Sequence, residues 1–190
     1  MDKDYIRRRV SARKRLLSDE ERVEAAQKVF DRIEQLAAFA VSDRILIYNS
    51  LPDELSTRSF LQKWSAVKRF FLPRVNGVNL EILPYESTSL KLGAFRIEEP
   101  TGDDLTDPAE IELVIVPAVA YDRRGNRVGR GKGYYDRLLP QTRAYKVGVG
   151  YDFQMVDSID AEEFDVPVDM VVTESYTVLR RKHPDSQTHK

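Results

Sequence analysis

The chain has 190 residues, room for one domain and too few for two independent cores. Thirty Lys and Arg stand against 31 Asp and Glu, and this near-neutral balance argues against nonspecific nucleic-acid binding, which calls for a net basic domain. Cysteine is absent and the two histidines, His183 and His189, lie in a polar tail, so disulfides and thiolate nucleophiles are excluded and neither a histidine base nor a zinc site is expected.

No apolar run approaches the roughly 20 residues of a membrane span, and the N-terminus lacks a signal-peptide apolar segment. A cytoplasmic protein is expected, with no membrane partner and with chemistry drawn from Lys, Arg, Asp, Glu, Tyr or a bound small molecule.

The first 40 residues read as two helices. Ile6, Val10, Arg13 and Leu17 fall on one face of the first, with Lys3, Arg7 and Lys14 on a neighbouring stripe. Ser18 followed by Glu21 is a capping box that starts the second, in which Val23, Ala26, Phe30, Ile33 and Ala37 recur at helical spacing. At Arg44 the period changes: RILIYNS (44–50) is an apolar run of strand length, as expected for a strand buried on both faces. Ser56 or Thr57 then caps a helix carrying Phe60, Leu61 and Trp64. Residues 68–75 and 79–86 read as strands joined at Asn76-Gly77. The segment from Ser87 to Pro108 has little periodicity and reads as a long loop. ELVIVPAV (112–119), YKVGVGYD (145–152) and DMVVTES (169–175) are further buried strands, with a short helix from Tyr134 to about Pro140 between the first two. Strands alternating with helices predict an α/β layered fold, and the adjacent strands at 68–86 predict a mixed sheet. One domain is expected over 1–179, with a polar, frayed tail over 180–190.

The stretch GRGKGYYDR (129–137) carries the chemistry. It fails the Walker pattern, with Asn126 at the first glycine position and Gly133 at the hydroxyl position, and its G-x-G-x-G is not a dinucleotide fingerprint. Backbone amides of a glycine-rich turn still make a concave nest for an anion. The helix that follows adds partial positive charge, and Arg127, Arg130 and Lys132 add donors. A solvated turn whose basic residues stay wet is the competing reading of the spacing. Asp136, directly after the nest, suits magnesium, which prefers one or two carboxylates plus phosphate oxygens. Asp165 or Asp169 could supply the second, and spacing does not choose between them. Seven Lys or Arg in the first fifteen residues read first as a solvated face, yet Lys3 and Arg7 lie one turn apart and can meet one anion together.

These segments together resemble the 5-formyltetrahydrofolate cyclo-ligase family over nearly the whole chain, to about Tyr176. The matching pieces are K-x-x-x-R (Lys3, Arg7), Y-x-S-x-x-x-E (Tyr48, Ser50, Glu54) and LPRV (72–75). They continue with G-x-F-x-I-x-E-P (Gly93, Phe95, Ile97, Glu99, Pro100) and VIVPAVAYD (114–122). GNRVGRGKGYYDR (125–137) is the most specific, and VGVGYDFQ (147–154) and FDVPVDMVVTE (164–174) complete the order. The resemblance implies a three-layer α/β sandwich with a mixed, mostly parallel central sheet, similar to the ribose-5-phosphate isomerase and CoA-transferase type. It implies ATP- and Mg2+-dependent cyclisation of 5-formyltetrahydrofolate, mono- or polyglutamylated, by a monomer.

Carried over by motif, Lys3, Arg7, Arg127 and the stretch Gly129, Arg130, Gly131, Lys132, Gly133, Tyr134 and Tyr135 would hold ATP. Arg130 and Lys132 would be catalytic, and Tyr48, Glu54 and Tyr135 would face the folate. Asp136 and Asp165 would hold magnesium. Two positions depart from the family pattern: Phe164 replaces a common His, and a pocket methionine after LPRV is missing, leaving Leu80 or Ile82 to fill its space. Two rival functions carry different expectations. A sugar-phosphate isomerase of the same fold would need no ATP and leaves Lys3 and Arg7 unexplained, and an RNA- or nucleotide-binding module would show salt-sensitive binding.

Overall fold

The structure, a computed structural model, describes residues 1–86, 90–92 and 98–181. Its centre is a seven-stranded sheet in the order β11-β10-β9-β6-β1-β2-β3. The strands are β1 (Arg44–Ile47), β2 (Arg69–Asn76), β3 (Asn79–Pro84), β6 (Leu113–Val116), β9 (Tyr145–Val149), β10 (Met170–Val172) and β11 (Thr177–Leu179). Pairings from β2 through β1, β6 and β9 to β10 are parallel, and β3 and β11 close the two edges antiparallel. The mixed, mostly parallel sheet expected from the sequence is therefore present.

The apolar runs are continuous because both faces are buried, and successive residues alternate between two cores. Ile45, Ile47, Leu113, Ile115, Val147 and Val149 enter one. That core is closed by α2 (Asp19–Glu34), α3 (Ala37–Val41) and α4 (Arg58–Trp64) through Val29, Phe30, Ile33, Phe39 and Phe60. Leu46, Phe71, Val114, Val116 and Val171 enter the other, under α5 (Tyr134–Leu138). Ser18 and Glu21 form the expected capping box. The buried face of α2 is Ala25, Ala26, Val29, Phe30 and Ile33, whereas Val23 is exposed and Ala37 belongs to the separate helix α3.

Three of the parallel strands stop short of their apolar runs. β1 ends at Ile47, β6 at Val116 and β9 at Val149. The residues that follow, Tyr48, Pro117 and Gly150, turn into loops, since the sheet's carboxyl edge is where an open α/β sheet builds its crevice. The chain runs from β1 to β2 on one side and reaches β6 on the other, so the β1/β6 boundary is a topological switch point.

Two small hairpins were not read from sequence: β4 (Leu90–Leu92) with β5 (Glu98–Pro100), and β7 (Ala120–Tyr121) with β8 (Arg127–Val128). The first lies in the segment expected as a loop. Gly93, Phe95 and Ile97, and residues 182–190 of the expected tail, lie outside the described residues. Among the described residues no helix is long and apolar enough to cross a membrane.

Candidate active site

Helix α1 (Lys3–Arg15) lays Ile6 and Val10 on Ala120, Val128 and Ile159, seating it across the β7–β8 hairpin that leads into the glycine loop. The hairpin turn is organised by buried Asp122, whose carboxylate accepts from the backbone of Arg124, Asn126 and Ile159. This seating brings residues more than 120 positions apart together. Arg7 Nε donates to the Gly129 carbonyl at 2.8 Å, and Lys3 Nζ meets Asp165 Oδ2 at 2.6 Å.

Within the loop, Gly131 has φ 106° and Gly133 φ 69°, conformations that side-chain-bearing L-residues rarely adopt. Arg137 holds the loop from behind, donating to the Lys132 carbonyl at 2.7 Å and to the Val78 carbonyl of the β2–β3 turn. A nest of backbone amides would use glycines in this region of φ. The following helix is only five residues long and has no side-chain cap, so it contributes little dipole. Lys132 and Arg130 are exposed on the loop.

The carboxylates separate into two kinds. Asp136 Oδ1 accepts from Arg127 Nη2 at 2.6 Å and from the Val166 amide at 3.0 Å. Asp165, one residue before Val166, faces Lys3 and accepts from the Glu162 amide at 2.9 Å. Asp169 instead accepts from the Lys146 amide at 2.9 Å, fastening β10 to β9. Asp165 thus adjoins the Val166 amide that binds Asp136, whereas Asp169 is engaged at the β9–β10 ladder. Two carboxylates flanking one short segment match the protein share of a magnesium shell, which phosphate oxygens and water complete. Among the described residues no three His, Asp or Glu side chains gather as a self-sufficient metal cage. Arg127 is buried, with its guanidinium spent on Asp136 and on the Val166 carbonyl at 3.2 Å. As placed, it positions Asp136 rather than reaching for an anion.

At the β1/β6 switch point lies a narrow cavity lined by Lys14, Tyr48, Glu54, Pro117, Ala118 and Gln154. The space left is about 10 Å³, room for a single water. Tyr48 is buried and donates its hydroxyl to the Leu55 carbonyl at 2.7 Å, so it acts as a wall. Glu54 Oε1 accepts from the Leu51 amide at 2.8 Å. Burial pushes the Glu54 carboxyl above the ordinary carboxylate range, against the pull of the Leu51 amide and of Arg130. Burial likewise raises the Tyr135 phenol, which stays a neutral hydrogen-bonding group under the Arg127 guanidinium. The two halves of the site meet at Arg130, whose Nη2 is 2.8 Å from Asp53 Oδ1 and 3.8 Å from Glu54 Oε2. A larger cleft of about 470 Å³ opens at the β11 edge among Arg123, Asp152, Tyr176 and Leu179. None of the expected site residues lines it, so size alone does not mark the chemistry.

The 5-formyltetrahydrofolate cyclo-ligase family matches residues 1–174. The chain belongs to that family. It is similar to the 5-formyltetrahydrofolate cyclo-ligase of Escherichia coli K12, at 32% identity over 176 residues, covering 87% of this chain and 97% of that one. The mouse 5-formyltetrahydrofolate cyclo-ligase is 27% identical over 186 residues, covering 89% and 92%. Among solved structures, the Aquifex aeolicus 5,10-methenyltetrahydrofolate synthetase superposes with a TM-score of 0.87 at 32% identity, covering 98% of this chain and 97% of that one.

For a cyclo-ligase chain, Lys3, Arg7, the 129–135 loop, Asp136 and Asp165 form one cluster, and Tyr48 and Glu54 form the adjoining one. Phe164, at the position that departs from the family pattern, is 68% exposed and leaves Asp165 in place. Leu80 and Ile82 pack into the core below α5 and do not line the Glu54 cavity. Sequence reasoning missed two charged residues that lie beside Glu54 and Arg130, Lys14 and Asp53. Lys14, expected on the stripe of Lys3 and Arg7, instead continues the buried Ile6–Val10 stripe at i+4, a signal masked by its charge. Asp53 was overshadowed by its neighbour Glu54.

Proposed function

We propose that the protein converts 5-formyltetrahydrofolate to 5,10-methenyltetrahydrofolate, consuming ATP with magnesium and releasing ADP and phosphate. The observation that carries this reading is the position of Arg130. It belongs to the glycine loop yet reaches the Glu54 wall, so the anion-holding and folate-holding halves share one side chain. Proximity of two bound substrates is what such a reaction needs most.

A formamide oxygen is a poor leaving group until it is phosphorylated. Its lone pair attacks the γ-phosphorus of ATP, the bond to the β-phosphate oxygen breaks, and ADP leaves. The N10 lone pair then attacks the formyl carbon, and the C–O bond breaks as phosphate leaves with its electron pair. N10 loses its proton to solvent, and the five-membered ring is closed. Lys3, Arg7 and the loop amides hold the polyphosphate, while Arg130 and Lys132 stabilise charge on the phosphoryl group in flight. Asp136 and Asp165 would hold magnesium, which neutralises phosphate charge. Glu54 accepts hydrogen bonds from pterin N–H groups, and Tyr48 and Tyr135 form the walls beside it. The cavity's small size means that Arg130 and the loop around Asp53 swing apart to admit the ring. No protein nucleophile is needed, which suits a chain without cysteine.

The test is ADP release with and without 5-formyltetrahydrofolate, with the methenyl product followed by its near-ultraviolet absorbance. ADP and methenyl product appearing together, only with both substrates, is the expected result. ADP release indifferent to folate, or no product with ATP and magnesium present, overturns it.

A further inference from the structure

Helix α1 carries seven basic side chains, and Lys14 alone among them is buried, at 5% exposure. Its ammonium lines the cavity that also holds Glu54 and Tyr48. An ammonium in such a place is expensive unless an anion meets it, and the nearest carboxylate is a poor match. Asp53 Oδ2 lies 3.7 Å away, too far for a hydrogen bond, and the same carboxylate is engaged by Arg130 at 2.8 Å. An ammonium has three donors, so Lys14 keeps unspent capacity facing the cavity.

The surroundings point the same way. A further donor beside Lys14, Arg22 Nη1, is buried and has no hydrogen-bond partner among the described residues. Arg22 also donates through Nη2 to the Lys14 carbonyl. The charged groups acting on the ammonium are Asp53 and Glu54 on one side and Arg130 and Arg22 on the other, with burial the largest influence and a lowering one. The locality is therefore over-supplied with donors and short of acceptors.

We propose that Lys14 is a catalytic residue of the cyclo-ligase, whose ammonium receives the formyl oxygen of 5-formyltetrahydrofolate and the phosphoryl group transferred to it. The inference rests on the reaction proposed above. Arg130 approaches from the glycine loop and Lys14 from the Glu54 wall, and Asp53 lies between them and keeps the two cations apart from each other. The acceptor that Lys14 lacks is the one that phosphoryl transfer delivers. An interaction formed mainly in the transition state shows in kcat rather than in KM.

The test compares Lys14→Met and Lys14→Arg with wild type at saturating ATP and magnesium, with thermal melts of all three. Lys14→Met is expected to lose about 100-fold in kcat, the scale of removing one preorganised donor, with both KM values within about 3-fold. Lys14→Arg should recover at least about 10-fold of that loss, since it restores the charge. The melting temperature of Lys14→Met should be no lower than that of wild type, because a desolvated charge has been removed. Should the Met variant fail to fold, Lys14→Gln carries the same comparison. A Met variant with kcat within about 3-fold of wild type overturns the proposal, as does a loss expressed only in the folate KM. Those outcomes leave wild-type turnover intact, whereas a wild type making no methenyl product sinks the reaction and Lys14's role together.

Discussion

Arg7 donates its Nε–H to the Gly129 carbonyl at 2.8 Å, so the N-terminal helix is tied to the glycine loop by a directional bond as well as by charge. Lysine at this position keeps the charge and loses the fixed geometry. Arg7→Lys should raise the ATP KM about 10-fold, the equivalent of one charge-assisted hydrogen bond, and leave the folate KM unchanged. Steady-state kinetics with each substrate varied in turn decides the matter. An unchanged ATP KM would show that Arg7 contributes charge alone.

Asp165 and Asp169 lie four residues apart and have different duties, which alanine should separate. Asp169 fastens the Lys146 amide between β9 and β10, so its loss leaves a part-buried donor unmatched. Asp169→Ala should cost about 1–3 kcal/mol. That lowers the melting temperature by about 2–12 °C in a domain of this size. The magnesium concentration for half-maximal rate should not move. Asp165→Ala should shift that concentration up by about 10-fold and lower the melting temperature as well, since the largely buried Asp165 carboxylate also pairs with Lys3 and holds the Glu162 amide. Magnesium titrations of both variants, with melts beside them, test the assignment; equal shifts would return Asp169 to the metal site.

Much of this was legible in the sequence, for physical reasons that differ between elements. Strands such as Leu113–Val116 were legible because burial on both faces makes an unbroken apolar run. Their carboxyl ends were overextended because Tyr48 and Tyr151 stay buried after the ladder stops, and burial is what the pattern reports. The β7–β8 hairpin was invisible, since two-residue strands carry no period and its turn depends on Asp122 gathering three amides. In the site, residue types were readable and mutual placement was not. Nothing in the spacing of Lys3 and Asp165, or of Arg7 and Gly129, requires them to meet; the docking of Ile6 and Val10 on Val128 does. Lys14 shows the limit most plainly, because it reads with Lys3 and Arg7 as part of a basic stripe until its burial and Asp53 beside it are seen.

Glu54 offers a prediction that couples stability to function. Its carboxyl is raised above the ordinary value of 4.5 by burial, so the folded state holds the proton more tightly than the unfolded chain does. Below about pH 4.5 both states are protonated and nothing is lost. As pH rises through the folded value, the native state must carry a desolvated charge, and stability falls. Gln stays neutral and can still accept from the Leu51 amide. Glu54→Gln should therefore melt higher than wild type at pH 7–8, with the difference vanishing below about pH 4.5. The same variant should bind folate more weakly and leave the ATP KM unmoved, whereas Lys132→Ala should impair ATP use and spare folate binding. A Glu54→Gln protein less stable at neutral pH, or one with intact folate KM, would remove Glu54 from the role given to it.

Gly148 and Tyr121 connect the sheet to the cavity above it. A methyl group on Gly148 would lie 2.3 Å from Tyr121 Cε1, well inside contact distance. The ring has little freedom to retreat. Its hydroxyl donates to the Val116 carbonyl at 2.7 Å and accepts from the Val149 amide at 3.1 Å, bridging the ends of β6 and β9 just before the cavity residues Pro117 and Ala118. Gly148→Ala should cost about 3 kcal/mol through overpacking, a fall of about 6–12 °C in melting temperature. Tyr121→Leu removes the ring and both hydrogen bonds and should be destabilising by itself. Combined, the two should cost at least about 1 kcal/mol less than their sum, because the alanine then enters space the ring has left. Denaturant unfolding of the four proteins in the cycle measures that coupling directly. Simple additivity would mean that the ring already yields to a methyl group, and that the ends of β6 and β9 are held by something other than Tyr121.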